Sequence, residues 1–307
     1  MTIQGIDLSV IWAVIIAFGL LLYVILDGFD LGLGILFPFI SDPKERDVMM
    51  NTVAPVWDGN ETWLVFGGAT LYAAFPLAYS VILEALYLPL VLVLAGLIFR
   101  GVAFEFRFKA SAKSRHWWDK AFIGGSIMAP FPLLCGLGLT LTYALLGSTW
   151  LLMKTDGMLE SKMRHYSRPL TYALIVMTAM VAVWTAWLNP QVADLWLSGH
   201  HWVFTASVEV LAVIAVALIL RNLRKRHSYK PFVATLFLIA LGYVSLMISI
   251  WPTIIPPSVD FWQAASPLSS QLFALIGVLF ILPAILAYTA WGYYVFRGKV
   301  QVGEAYH

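Results

Sequence analysis

Residues 8–32 read LSVIWAVIIAFGLLLYVILDGFDLG, and this stretch decides the fold class. The run from Leu8 to Leu26 has no charged side chain and matches the length of about 20 apolar residues that a helix needs to cross a bilayer. The whole chain follows this pattern, because 61% of its 307 residues are hydrophobic and only 12% are charged. Soluble domains contain about 45–50% apolar and about 25% charged residues, so the excess cannot be buried in one soluble core. The sequence predicts an all-α integral membrane protein and excludes an ordinary soluble enzyme.

Similar apolar runs recur along the chain and are separated by polar connectors. We predict membrane crossings at eight runs: Leu8–Leu26, Thr62–Leu77, Ser80–Phe99, Phe122–Met153, Leu170–Leu188, Phe204–Leu220, Phe232–Trp251 and Leu272–Phe296. The 19 Lys and Arg residues cluster in some connectors and are absent from the N-terminus and from the connectors near Pro76, 189–202 and 252–267. Because basic loops stay in the cytoplasm, the pattern predicts an N-terminus outside the membrane and a cytoplasmic C-terminus.

The run Phe122–Met153 is too long for a single crossing and too short for two. All basic clusters are cytoplasmic only if the chain crosses twice between Lys120 and Lys154. The intervening helix would span about 50 Å, whereas two crossings need about 60 Å plus a turn. We therefore predict nine transmembrane helices in a single polytopic domain, residues 1–307, with an outward loop and parts of two helices missing near Ser126–Phe131. The alternative is a short re-entrant hairpin, which the Gly and Pro residues of this segment favour.

Acidic residues within apolar runs are candidates for function, because a carboxylate in hydrocarbon must be paired, hydrated or protonated. Asp27 and Asp30 lie three residues apart and so share one helix face. They either cap a solvated helix end or lie within the membrane, since Leu31–Ile40 stays apolar. We predict them as members of a proton relay.

Asp58 begins the second helix and is followed three residues later by Glu61. This spacing fits a capping box, in which both side chains satisfy free backbone N–H groups. It also fits a carboxylate that takes protons from water at the cytoplasmic mouth of a helix. The flanking Trp57 and Trp63 are interpreted as interfacial anchors.

Glu84 and Glu209 each stand alone in an apolar run, so each must pair with another helix, face water or stay protonated. Glu84, with Pro89 beyond it, is a further relay candidate, whereas an interhelical hydrogen bond is the simpler interpretation of Glu209. Arg100 and Arg107 lie among aromatic residues, which is typical of a segment at headgroup level. The alternative is that the two Arg residues bind an acid or a cofactor carboxylate.

Other chemistries find little support in the sequence. The single Cys135 and the six His residues, all in polar connectors or at the terminus, form no metal-binding pattern, so we predict no metal. A buried haem usually takes a His, Met or Cys ligand from a helix. This chain has no obvious His for that role, and Met in apolar helices is usually packing. No nucleotide loop, catalytic triad or nucleic-acid module is present, so the basic loops indicate topology rather than nucleic acid binding.

Several long motifs resemble subunit II of cytochrome bd-type quinol oxidases, and they extend from the first helix to the last. The modest length is similar to that of the cyanide-insensitive branch. The motifs are Asp27-Gly28-Phe29-Asp30-Leu31-Gly32, Pro55-Val56-Trp57-Asp58-Gly59-Asn60, Phe99-Arg100-Gly101-Val102-Ala103-Phe104-Glu105-Phe106-Arg107, Trp251-Pro252-Thr253-Ile254-Ile255-Pro256-Pro257-Ser258, Ser269-Ser270-Gln271-Leu272 and Tyr288-Thr289-Ala290-Trp291.

The resemblance implies a respiratory complex of the bacterial inner membrane that oxidises quinol and reduces dioxygen to water. Subunit I would carry the two b-type haems, the d-type haem and the quinol site, and a small single-helix subunit is a possible further partner. This chain would be the haem-free subunit, with nine helices in two four-helix bundles plus one peripheral helix, and some members hold a structural quinone. The resemblance places cytoplasmic proton uptake at Asp58, and it matches Asp27 and Asp30 to acidic positions of the first helix.

Two other classes of function remain open on the residues alone. A secondary transporter could use Asp27, Asp30, Glu84 and Glu209 as buried carboxylates that bind protons or substrate. A structural scaffold for a catalytic partner would use every acid as a cap or interhelical hydrogen bond.

Overall fold

The computed structural model describes residues 2–3, 6–109, 118–120, 136–188, 196, 201–255 and 258–301. Side chains are described in these ranges except at 2–6, 104–109, 185–188, 201 and 204. The segment Ser126–Phe131, where we predict missing residues, lies outside the described part.

Helices make up nearly all of the described chain, as the composition predicts. They are α1 (Leu8–Leu36), α2 (Pro43–Val53), α3 (Trp57–Ala74), α4 (Pro76–Ala85), α5 (Tyr87–Lys109), α6 (Gly136–Lys154), α7 (Gly157–Leu188), α8 (His201–Arg224), α9 (Lys230–Ile250), α10 (Phe261–Ala264) and α11 (Leu268–Val295). Two short antiparallel hairpins join β1 (Thr2–Ile3) to β2 (Ile6–Asp7) and β3 (Thr253–Ile255) to β4 (Val259–Asp260).

Six described helices are long and apolar enough to cross a membrane, namely α1, α6, α7, α8, α9 and α11. The pair α4 and α5 is a seventh crossing if the two helices form one broken span. The helix α3, on the run Thr62–Leu77, is not among them. The described residues thus contain six or seven candidate crossings, and the count of nine stays a prediction.

The run Ser80–Phe99 does not form the continuous helix that we predicted. It falls on α4 and α5, which are bent by 83° on either side of Leu86. Pro89 explains the break, because its nitrogen cannot donate a hydrogen bond and its ring clashes with the carbonyl group four residues earlier. The helical hydrogen bonds resume with Leu90 N, which donates to Leu86 O at 2.8 Å.

The chain divides into two compact units, each described by itself. Unit 1 comprises Met1–Asp27, Pro55–Leu90 and Leu246–Arg297. Its apolar core is built on α1, α3, the start of α4, α10 and α11. The largest buried members are Trp12, Tyr23, Trp63, Phe66 and Phe75.

Unit 2 comprises Gly28–Ala54, Val91–Ser245 and Gly298–His307, and its centre is the close approach of α1 and α6. A Cβ atom placed on Gly32 would lie 2.0 Å from the carbonyl oxygen of Tyr143, and one on Gly147 would lie 2.7 Å from the carbonyl carbon of Gly32. Gly28 faces the Tyr143 ring in the same way. The spacing of Gly28 and Gly32 is the small-residue pattern that lets two membrane helices touch backbone to backbone.

Aromatic packing continues this contact. Phe29 stacks on Trp150 with ring centroids 4.2 Å apart, and Phe232 meets both rings edge-on. The indole nitrogen of Trp150 donates a hydrogen bond of 3.2 Å to the hydroxyl of Thr52.

The end of α6 in unit 2 is covered by a C-terminal segment, residues 298–300. Lys154 is buried, and its ammonium group donates a hydrogen bond of 2.9 Å to Gly298 O. Val300 N donates to Lys154 O at 2.8 Å, and Lys299 pairs with Asp156.

Some of the basic residues that we assigned to topology also form ion pairs in unit 2. Lys162 on α7 binds Glu45 on α2 at 2.6 Å, and Arg46 binds Asp119 at 3.0 Å. These contacts fasten α2 to its neighbours.

Candidate functional site

Asp58 lies in the first turn of α3 with its side chain exposed. The helix is capped by Val56, which makes no side-chain capping hydrogen bond, so the predicted capping box of Asp58 and Glu61 is wrong. The helix starts two residues earlier than that motif requires, and Asp58 is therefore inside the helix rather than at its cap. Its negative charge is still stabilised by the free backbone N–H groups and by the positive end of the helix dipole.

Asn60, one turn into α3, is 1% exposed and bridges two other helices of unit 1. Its amide nitrogen donates to Leu26 O at 3.2 Å, and its side-chain oxygen accepts from the Tyr293 hydroxyl at 2.8 Å. This hydrogen-bonded chain joins α3 to α1 and α11. Leu26, whose carbonyl group accepts the hydrogen bond from Asn60, directly precedes the acidic residue Asp27 in α1.

Trp63 is fully buried, so its interpretation as an interfacial anchor is wrong. Its indole nitrogen donates to the Thr289 hydroxyl on α11 at 3.3 Å. Gly59 lets α11 approach closely, since a Cβ atom there would lie 3.2 Å from the Tyr288 ring. The apolar ring of Trp63 fills the core between α1 and α3, which explains its burial.

A small pocket, which we call the Asn60 pocket, lies beside these contacts. Its volume of about 20 Å³ holds about one water molecule. It is lined by Pro55, Val56, Gly59, Asn60, Tyr288, Thr289, Gly292 and Tyr293. The pocket therefore places an amide, a hydroxyl and a phenol within a space that suits a single water.

The acidic pair of the first motif is buried. Helix α1 continues through Asp27 and Asp30 to Leu36, and both side chains are 0% exposed. The alternative of a solvated helix end is therefore wrong for this pair. Gly28, between them, allows the close packing against α6 that removes water from this part of the helix.

Arg100 on α5 is 0% exposed, which excludes a position among lipid headgroups for this side chain in the described fold. A buried guanidinium is suited to a carboxylate partner. The side chain of Arg107 is outside the described part, so its predicted role as a cofactor ligand stays a prediction, like that of Arg100.

Glu84 and Glu209 are both exposed, so the expectation of buried carboxylates at these positions is wrong for this chain by itself. Glu84 lies in the last turn of α4, at the bend before α5, where the outer face of the helix is open. Glu209 lies in the first half of α8 and makes no interhelical hydrogen bond within the described residues.

Within the described part of the chain, no group of three or more His, Cys, Asp or Glu side chains could hold a metal ion. The polar contacts described at the candidate site are the hydrogen bonds of Asn60 and Trp63. Asp58 was predicted from the sequence as a site residue, whereas Asn60, Thr289 and Tyr293 were not predicted as contact residues. The available signal was that polar side chains recur in the motifs around Asn60 and Tyr288.

The comparisons with known proteins agree over nearly the whole chain. The sequence profile of the family described as cytochrome bd terminal oxidase subunit II matches residues 8–133 and 127–296. Cytochrome bd-I ubiquinol oxidase subunit 2 of Escherichia coli (strain K12) is 27% identical over 364 residues, covering 95% of each chain. Cytochrome bd ubiquinol oxidase subunit 2 of Bacillus subtilis (strain 168) is 28% identical over 334 residues, covering 96% of this chain and 97% of that one.

A solved structure has the same fold. The bd oxidase from Geobacillus thermodenitrificans aligns with a TM-score of 0.75 and 17% identity, covering 95% of this chain and 98% of the matched chain. None of these findings supports the secondary transporter. The chain therefore belongs to the cytochrome bd terminal oxidase subunit II family and is part of an oxidoreductase complex.

Proposed function

We propose that this chain is the haem-free subunit II of a quinol:dioxygen oxidoreductase of the bacterial inner membrane. Subunit I would hold haem b, haem d and the quinol site, and the two subunits would meet along lipid-embedded helices. The full fold would have nine crossings in two four-helix bundles plus one peripheral helix. The N-terminus would lie outside and the C-terminus in the cytoplasm, as the basic loops require.

The positions of the histidines support a haem-free role. His165 is exposed on the polar first half of α7, and His227 lies in the connector between α8 and α9. Neither side chain points into an apolar interior, where an axial ligand must stand. The structural quinone that some members of the family hold is part of the proposal, and we assign no pocket to it.

Proton uptake is the chemistry that we propose for this chain. The proposal is carried by the exposed Asp58, which directly precedes two residues that line the Asn60 pocket, Gly59 and Asn60. Reducing dioxygen consumes protons, and an unpaired charge crosses hydrocarbon only at high cost. A wet or carboxylate-lined route avoids that cost. Asp58 collects a proton from the cytoplasm. The Asn60 pocket, which is large enough for one water, offers with Asn60 and Tyr293 the first polar contacts inward.

The buried Asp27 and Asp30 and the exposed Glu84 are proposed as later relay groups. Buried Arg100, with Arg107 on the same helix, would supply positive charge for a carboxylate. If protons for oxygen reduction come from the cytoplasm while quinol releases its protons outside, turnover generates a membrane potential without pumping.

We also propose that the chain lacks a segment near Ser126–Phe131 relative to its relatives. The two matched parts of the family profile overlap at residues 127–133. The alignment with the Escherichia coli protein also runs over 364 residues although this chain has 307. The overlap supports a shorter connector at this point, and the longer alignment supports a shortening somewhere in the chain.

The test of proton uptake is Asp58→Asn in the complex purified through a tag on this chain. We expect turnover at saturating quinol to fall by roughly a hundredfold, the lower end for loss of a positioned proton-transfer group. Haem content per complex should stay unchanged, because the exposed side chain makes no capping bond. Asp42→Asn is the matched control. Asp42 is an exposed acid that caps α2 through Lys44 N, and Asn caps equally well.

Three results would each contradict a part of the proposal. Full turnover in Asp58→Asn would remove proton uptake from this residue while leaving the oxidase function intact. Equal loss of haem and turnover would instead assign Asp58 to assembly. A purified complex without haem bands in its reduced-minus-oxidised spectrum would overturn the oxidase function itself.

A further inference from the structure

Glu209 lies on an exposed, apolar face of unit 2. It lies in α8, four residues after Thr205, where the candidate membrane span begins, which is about 6 Å along the helix. Val213, one turn further on, is 66% exposed, and Val210 is 58% exposed. Within the described residues the Glu209 carboxylate has neither a hydrogen bond nor an ion pair. Such a carboxylate needs water, a proton or a cation beside it.

A pocket of about 320 Å³ opens at this carboxylate. It is lined by Trp196, Trp202, Thr205, Ala206 and Glu209. The volume is far larger than the roughly 30 Å³ that one water occupies and lies in the range of small-ligand sites. We call it the Glu209 pocket.

The chemistry of the lining selects a cation. Two indole rings attract positive charge through their faces, and the carboxylate adds a formal countercharge. An anion would be repelled by Glu209, and a neutral apolar group would leave the carboxylate uncovered. A bare metal ion would need several oxygen ligands, whereas this lining offers one carboxylate.

The position of the pocket selects the source of that cation. Trp side chains concentrate at the level of lipid headgroups, and Glu209 is about one turn below the start of its span. Residues spaced as Trp202, Ala206, Glu209 and Val213 lie on one face of a helix. An ammonium headgroup in the pocket could therefore leave its acyl chains along the exposed valine face.

We propose that the Glu209 pocket binds the primary ammonium headgroup of an aminophospholipid. Glu209 forms the ion pair, and Trp202 and Trp196 enclose the ammonium group. This site is separate from the Asn60 pocket, which lies in unit 1, and does not depend on the proposed proton path.

The experiment uses the protein purified through a tag on this chain, with its accompanying subunits. It is placed in nanodiscs of equal parts phosphatidylethanolamine and phosphatidylglycerol, released into detergent, and its retained lipids are counted by native mass spectrometry. We expect the wild-type protein to retain phosphatidylethanolamine preferentially. Glu209→Gln should lower that retention roughly fivefold, the size expected for losing one ion pair.

Two further variants make the outcome decisive. Trp202→Leu should lower retention like Glu209→Gln, which covers the case in which one variant folds poorly. Glu84→Gln removes another exposed carboxylate, in unit 1, and should retain the lipid as the wild-type protein does.

Three results would overturn the proposal. The first is unchanged retention in a folded Glu209→Gln protein. The second is equal retention of both headgroups by the wild-type protein. The third is a carbodiimide cross-link between Glu209 and a lysine of another subunit, which would identify a protein side chain as the cation.

Discussion

Replacing Gly32 by alanine tests the backbone contact of α1 with α6. The new methyl carbon would lie 2.0 Å from Tyr143 O, 2.8 Å from Tyr143 C and 2.9 Å from Gly147 N. All three atoms belong to backbone, so no side-chain rotation can relieve the contact. Ordinary van der Waals contact begins at 3.4 Å, which means that the helices must separate by about 1.4 Å.

The energetic cost follows from this separation. Forcing one carbon into a well-packed site costs about 1–3 kcal/mol, which corresponds to a fall of roughly 2–10 °C in the unfolding temperature. The Phe29 and Trp150 rings, stacked at 4.2 Å on the same two helices, should lose contact as well. We therefore expect the upper part of that range.

The assay is the apparent unfolding temperature of the purified complex in one detergent at one scan rate. Gly242→Ala in α9 and Gly68→Ala in α3 are matched controls, because a Cβ atom at either position meets nothing within 4 Å. These controls should melt at or slightly above the wild-type temperature, since alanine favours a helix over glycine by about 0.5–1 kcal/mol.

The reasoning is refuted if Gly32→Ala melts together with Gly242→Ala. That result would mean that α1 and α6 do not touch through their backbones at Gly32. If the unfolding temperature falls by a similar amount in Gly32→Ala and Gly242→Ala, the contact between α1 and α6 does not explain the loss of stability.

Two further predictions concern hydrogen bonds of unit 1. The indole of Trp262 donates to the Asp7 carboxylate at 2.6 Å, and this bond lowers the pKa of Asp7 below its ordinary value of 3.8. The bond therefore stabilises the fold fully above pH 3.8, and this stabilisation is lost as the pH falls below that value. The difference in unfolding temperature between the wild-type protein and Asp7→Ala should shrink below pH 3.8 and stay constant from pH 5 to 7. Tyr293→Phe removes the bond to Asn60 and should cost about 0.5–1.5 kcal/mol in thermal unfolding, whereas Tyr294→Phe, at an exposed position, should change nothing measurable. The first assignment is contradicted if the difference in unfolding temperature between wild type and Asp7→Ala stays constant below pH 3.8. The second is contradicted if Tyr293→Phe and Tyr294→Phe unfold at the same temperature.

Apolar runs located the described helices but not all of their ends. The prediction stopped the first crossing at Leu26, because acids usually mark a solvated end, whereas α1 continues to Leu36. The Gly residues of that motif admit α6 closely enough to bury the acids. Hydropathy also joined Ser80–Phe99, since it averages over Pro89 and does not register a missing hydrogen-bond donor.

The candidate site could be predicted only in part. Asp58 follows from its charge at the start of a helix, but its surroundings depend on Tyr293, which is 233 residues away in sequence. No local pattern specifies which helices pack together. The motifs carrying Asn60 and Tyr288 were recognised separately, and only the fold brings them within contact.

The hydrogen bond between Lys154 and Gly298 fixes the order in which parts of the chain can pack during biosynthesis. Its ammonium group is hydrogen-bonded to a carbonyl that lies 144 residues later in the chain. At about 5–20 residues per second, a ribosome needs roughly 7–30 seconds to reach that residue after making Lys154. During this interval α6 and α7 must insert while a charged group at their junction still lacks that partner. The C-terminal end of α6 is thus completed late, and a nascent chain stalled within α11 should leave Lys154 open to amine-reactive reagents that cannot reach it in the finished protein.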